Sequence, residues 1–172
     1  MKFSKTLTAL ATLVATAIAD GAAIVDALEQ IQSDATALND TVDSWSGDLL
    51  GALPITTKST SLLIHINKGT ETAKHSANLT DLETFNVAVT TLNLVTATNS
   101  TLDTIVASKP KFDKLLLSPV ILLTLKSQKD ASAQLSSAIA EKVPLTFQGA
   151  AEQLAAQLDA AFEEALDAYS FF

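Results

Sequence analysis

Apolar residues recur at alternating steps of four and three through Ile24, Leu28, Ile31, Ala35, Leu38, Val42, Trp45 and Leu49. That period puts them on one side of an α-helix, with Asp and Gln on the other sides. It predicts a helix from Ala22 to Leu50, about 40 Å long at ~1.5 Å per residue. A stripe of that length stays wet unless partners of similar length cover it.

The same period predicts four such partners. A second helix runs from Ile55 to Ser76 on a stripe of Ile55, Leu62, Ile66 and Ala73, with Ser59 at its edge. Gly51 and Pro54 separate it from the first. Gly69 falls near the centre of its inner face, where glycine costs helix stability, so a kink or a close backbone approach is expected there. A third helix opens on Thr80-Asp81-Leu82-Glu83, which has the form of a capping box, and carries Leu82, Phe85, Val89, Leu92, Val95, Leu102 and Val106 as its stripe. Its many threonines lower helix propensity, and the stripe must compensate.

Lys109 to Leu117 reads as a short basic connector containing Pro110. Ser118 then resembles an N-cap and Pro119 an N1 proline, opening a fourth helix to about Lys142 on Ile121, Leu125, Leu135 and Ile139. The apolar run Leu115–Leu125 is too short to span a bilayer. It reads either as a buried helix start or as the lining or gate of an apolar cavity. Pro144 opens a fifth helix to about Ala168 on Phe147, Ala151, Leu154, Leu158, Phe162, Ala165 and Tyr169. The expected fold is therefore all-α: a single-domain bundle of five long amphipathic helices with an apolar central cavity.

Composition changes this picture in three ways. Met1 to Ala19 has the form of a secretory leader, with Lys2 and Lys5 first, an apolar run from Leu7 to Ile18, and Ala17-Ile18-Ala19 as the small-x-small end. The expected division is a leader over 1–19 and a helical binding domain over 20–172, placed outside the cell or in the cell wall. Without the two leader lysines the net charge falls from −8 to −10, which excludes a nucleic-acid partner, since phosphate contact needs clustered basic residues. There is no cysteine, so the domain must be held by its core rather than by disulfides. The first and last helices are acidic. Lys109, Lys111, Lys114, Lys126 and Lys129 gather around the start of the fourth, which invites cross-helix pairing of opposite charge.

Candidate chemistry is sparse. The chain has no Cys nucleophile, no G-x-S-x-G, no glycine-rich phosphate loop and no H-E-x-x-H, all of which argues against an enzyme. His65 and His75 sit about 15 Å apart along one helix and cannot share a metal, so neither a metal nor a cofactor is expected. Three polar residues fall on inward faces: Asn99, Gln128 and Ser132. A buried polar group without a partner costs about 1–3 kcal/mol. These three either bond internally or meet the head of an amphiphile whose tail lies among Leu, Ile and Phe. Sequons occur at Asn39, Asn78 and Asn99. Asn78, in a predicted loop, is the best glycan acceptor, Asn39 lies at a stripe edge, and a glycan on Asn99 conflicts with its inward position.

Several features together resemble the fungal hydrophobic surface-binding protein A family, related to cell-wall galactomannoproteins. They are the leader, the D-A-L-E-Q-I opening at Asp26–Ile31, the cysteine-free order of five amphipathic helices, the L-L-L-S-P-V segment at Leu115–Val120, and the acidic Ala-rich last helix. The resemblance implies a helical bundle around an apolar tunnel for fatty acids or similar lipids. It also implies secretion or wall association, adsorption to hydrophobic surfaces and, in some members, recruitment of a secreted esterase. The absence of a Ser/Thr-rich stalk and an anchor signal argues against covalent wall attachment. Two roles follow: a lipid carrier, and an adsorbent that opens at Gly69 or at 109–119 to lay its stripes on a surface. The residues expected to line the cavity are Leu38, Trp45, Leu62, Ile66, Phe85, Leu92, Asn99, Leu125, Gln128, Ser132, Leu135, Leu154, Leu158 and Phe162.

Overall fold

The computed structural model describes the backbone of residues 8–170 and the side chains of residues 20–170. The expected leader, 1–19, lies outside the described side chains. Among the described residues there are six helices and no strand: α1 (Thr8–Asp43), α2 (Ala52–His75), α3 (Asp81–Ala107), a short α4 (Lys109–Lys114), α5 (Ser118–Ala140) and α6 (Leu145–Ser170).

The five long helices form a closed ring in the order α1–α2–α5–α6–α3 and back to α1. Cross-links between helices give the directions. Ala77 N–H donates to Asp20, and Asp34 meets His65, so α2 runs against α1. The Thr101 hydroxyl lies 3.0 Å from the Ala35 carbonyl and that of Thr104 donates to Asn39 Oδ1, so α3 runs with α1. Gln128 donates to Ser59 while Lys142 donates to the Lys74 carbonyl, so α5 runs with α2. Only residues 141–144 join α5 to α6 and Lys129 meets Glu163, so α6 turns back along α5; Tyr169 donates to the Ile105 carbonyl, which places α6 beside α3.

The stripes of α1 and α2 face this ring as expected. Ile24, Leu28, Ile31, Ala35, Leu38 and Val42 are buried on α1, with Trp45 buried just beyond its end, as are Ile55, Leu62, Ile66 and Ala73 on α2. Gly69 is a close approach rather than a kink: a Cβ there would meet Ile31 Cδ1 at 3.2 Å and Leu135 Cδ1 at 3.5 Å. The capping box is present in full, with Glu83 N–H donating to Thr80 Oγ1 and Thr80 N–H donating to Glu83 Oε2.

Four expectations are corrected. First, α1 ends at Asp43, not Leu50, and Leu49 is 63% exposed. The Ser-Gly-Asp turn chemistry wins locally. Trp45 Nε1 donates to the Asp48 carbonyl, Asp48 takes Ser46 and the Gly51 N–H, and Gly47 adopts φ 90°, where a side chain would be strained.

Second, the expected stripe of α3 faces inward at Val95 and Leu102 but is turned outward over the first half of the helix. Thr84, Val87, Thr90, Leu94, Val95, Thr101, Leu102 and Ile105 are buried, while Leu82, Phe85, Val89 and Leu92 are exposed. A helical threonine can donate its hydroxyl to the carbonyl four residues back, as Thr90 does to Asn86, and then present only its methyl to the core.

Third, the basic connector contains α4, whose Phe112 is fully buried. Fourth, Ser118 is not the cap of α5. Leu117 holds that position, and the Ser118 hydroxyl donates to Asp113, tying α5 to α4. The Leu115–Leu125 run is not buried as a block either, since Leu116, Val120 and Leu123 point outward.

Candidate functional site: an apolar cavity inside the ring

The ring does not close on a solid centre. A cavity of about 160 Å³ lies along its axis, walled by residues of all five long helices. Of the fourteen residues expected to line it, eight do: Leu62, Ile66, Phe85, Ser132, Leu135, Leu154, Leu158 and Phe162. Phe85 and Phe147 line it from exposed positions, so these two rings belong to its rim rather than its floor.

The other six lie elsewhere. Leu38, Leu125 and Gln128 line a separate groove between α2 and α5, where Gln128 Nε2 donates to Ser59 Oγ at 3.0 Å. The inward glutamine is thus satisfied by the protein itself. Asn99 Oδ1 is buried without a partner, but Thr98 forms the cavity wall at that level. Leu92 is 51% exposed and takes no part. Trp45 belongs to an aromatic cluster with Phe112, at 4.5 Å between ring centroids, which in turn meets Tyr169 at 6.5 Å.

That cluster plugs the end of the ring where α4 crosses. Lys111 donates to the Trp45 carbonyl at the end of α1, and the Lys109 ammonium sits 5.7 Å from the Tyr169 ring centre. Burial, with a smaller contribution from the Asp113 charge, pushes the Tyr169 phenol well above its ordinary range.

The cavity wall carries Leu, Ile, Val, Phe, Ala, Thr and Ser and no ionisable group. Thr84 Oγ1, on that wall, is buried without a partner. Sequence reasoning misses the α3 wall, Val87, Ala88, Thr91, Leu94 and Thr98, because the bulkier row of that helix sets the expected register. It also misses Ser136, one turn from Ser132, and Ala155, one turn from Ala151 on the expected stripe; that spacing is the available signal. Among the described residues no group of three or more His, Asp or Glu is placed to hold a metal ion. His65 bonds Asp34 on α1, and His75 is exposed beside Glu71. The cross-helix pairing expected of the lysines is made by Lys129, which reaches Asp159 and Glu163 on α6; the bond with Glu163 raises its pKa.

A ring of five helices around an apolar, uncharged void is the architecture of a helical container for apolar molecules. The chain belongs to the hydrophobic surface binding protein A family, whose model matches residues 21–141. It is 28% identical to cell wall mannoprotein 1 of Aspergillus fumigatus over 98% of its own length, and 27% identical to the Aspergillus flavus protein of the same name, also over 98%. It spans 60% and 63% of those two relatives. The fold is similar to that of AFMP4P solved in complex with palmitic acid, with TM-score 0.85 and 27% identity over 87% of this chain and 99% of that one. It is also similar to ligand binding domain 1 of the Penicillium marneffei MP1 protein complexed with arachidonic acids, with TM-score 0.84 and 19% identity over 88% and 99%. No helix among the described residues is long and apolar enough to cross a membrane.

Proposed function

We propose that this protein is a secreted, non-catalytic carrier that takes the acyl chain of a fatty acid or similar amphiphile into its central cavity. One observation carries the reading: an uncharged void of about 160 Å³ to which every long helix contributes wall. An apolar cavity of about 150 Å³ stays dry and accepts benzene-sized guests, so this one is already large enough for part of an acyl chain. Each buried methylene contributes about 0.8 kcal/mol, and ten give about 8 kcal/mol before ordering costs, enough for micromolar binding or better. The likeness to AFMP4P with its palmitic acid supports the choice of guest. The leader over 1–19 and the cell-wall mannoproteins among its relatives support a place outside the cell or in the wall. Asn78, exposed in the loop between α2 and α3, is the preferred glycan acceptor. Asn39 is less suited, because its side-chain oxygen accepts from Thr104.

Calorimetry with palmitate on the refolded, delipidated protein tests the carrier role. Binding is expected; Leu158→Asp, on the cavity wall, abolishes it, and Leu92→Asp, on the outer face of α3, leaves it intact. Folded protein that takes up no palmitate rejects the reading.

A second role, adsorption to hydrophobic solids with recruitment of a secreted esterase, is favoured by a different observation. Leu49, Leu50 and Leu53, together with Leu116, Val120 and Leu123, are exposed at the end of the ring where α2 and α5 begin. Exposed apolar groups gathered in one region mark interaction surfaces.

A further inference from the structure

The central cavity has no charged wall, yet the guest proposed above has a charged end. A slot between α5 and α6 supplies what the cavity lacks. It shares Ser132, Ser136, Ala151, Ala155, Leu158 and Phe162 with the cavity, so one wall separates and joins the two. Beyond that wall it is a groove of about 490 Å³ that opens to solvent. The side chains facing across it are mostly Ser and Ala, which leaves the helices less filled between them than at any bulky seam. Lys129 is the cation on its lining; Glu152 and Asp159 are the acids.

We propose that this slot receives the carboxylate head of an acyl guest, with Lys129 as its counter-ion and the tail passing between α5 and α6 into the cavity. The proposal rests on the carrier reading. The Lys129 ammonium lies 3.2 Å from Asp159 and also holds Glu163, closing the seam. The Lys129 side chain is 21% exposed, whereas Asp159 and Glu163 are each 53% exposed. The acids can turn into water at little cost, as exposed partners do, while the lysine stays at the slot. A guest carboxylate then replaces one of them in a charge-assisted bond of the same kind. The tail loses water on entering the cavity and the head keeps an ionic partner, which satisfies both ends of the molecule. The lysine also explains how a strongly acidic protein holds an anion: the field of the whole chain is unfavourable, and one local cation offsets it at contact distance.

The test compares palmitate with hexadecanol, which has the same tail and no charge, on the wild-type chain and two variants. Lys129→Met is expected to weaken palmitate about tenfold and to leave hexadecanol unchanged. Glu163→Gln, which removes a competitor for the lysine, is expected to strengthen palmitate and again leave hexadecanol unchanged. If Lys129 only clasps the two helices, Lys129→Met changes both ligands alike and Glu163→Gln weakens or leaves palmitate; either result overturns the head-group assignment while the carrier role stands. If wild-type protein binds neither ligand, the carrier reading falls and this proposal with it. Circular dichroism of each variant establishes that it is folded, and Glu163→Gln tests the assignment independently should Lys129→Met not fold.

Discussion

At the scale of single residues, Tyr169 shows how one buried hydroxyl closes an end of the ring. It is fully buried against Phe112, and its hydroxyl donates to the Ile105 carbonyl at 2.8 Å. Ionising it would bury a phenolate, so its pKa is raised by desolvation first and by the Asp113 charge second. A raised folded-state pKa means that this contribution to stability is complete below the ordinary tyrosine value of about 10 and is lost as pH rises toward the folded value. The phenolate absorbance at 295 nm is therefore expected to stay flat through pH 10–11 and to appear only with alkaline unfolding. Titration of Tyr169 at its ordinary value in folded protein would contradict this burial. Tyr169→Phe leaves the Ile105 carbonyl without its buried partner and is expected to cost about 1–3 kcal/mol, read as a lower urea midpoint at unchanged slope.

At the scale of elements, α3 is the instructive helix. Its start is legible to the residue: Thr80 and Glu83 make both bonds of the capping box. The Thr80 hydroxyl is also the main cause of the lowered Glu83 pKa. Thr80→Ala is expected to cost about 1 kcal/mol, as N-cap losses do. A depressed carboxylate pKa contributes stability above the unfolded value of about 4.3 and loses it as pH falls through the folded value. The difference between wild type and Thr80→Ala in denaturant midpoint should thus shrink below pH 4, and a gap that stays constant there would assign the loss to the neutral cap bond alone. The register of the same helix is not legible. Over the first half of α3 two rows are apolar enough to face inward, and bulk favours the wrong one, Leu82, Phe85, Val89 and Leu92. The decision comes from α1, against which Thr101 and Thr104 make their bonds to Ala35 and Asn39.

At the scale of the whole molecule, two apolar features serve different ends. The cavity lies inside the ring, whereas the exposed leucines sit outside at the end where α2 and α5 begin. A surface role that uses this end does not require the bundle to open at Gly69, where Ile31 and Leu135 pack closely. The double variant Leu116→Asp, Leu123→Asp is expected to lose most adsorption to wax or plastic while binding palmitate as before. Equal adsorption by the variant would return the role to an opened bundle. The sequence alone determined the five long helices and the α3 cap, because hydrophobic period and capping chemistry act over three or four residues of chain. Only the tertiary structure decided the order of the ring, the inner row of α3 and the place of Lys129 across from Glu163. These depend on contacts between residues some 30 to 70 positions apart, and a void is the shape left between several helices, which no one of them encodes.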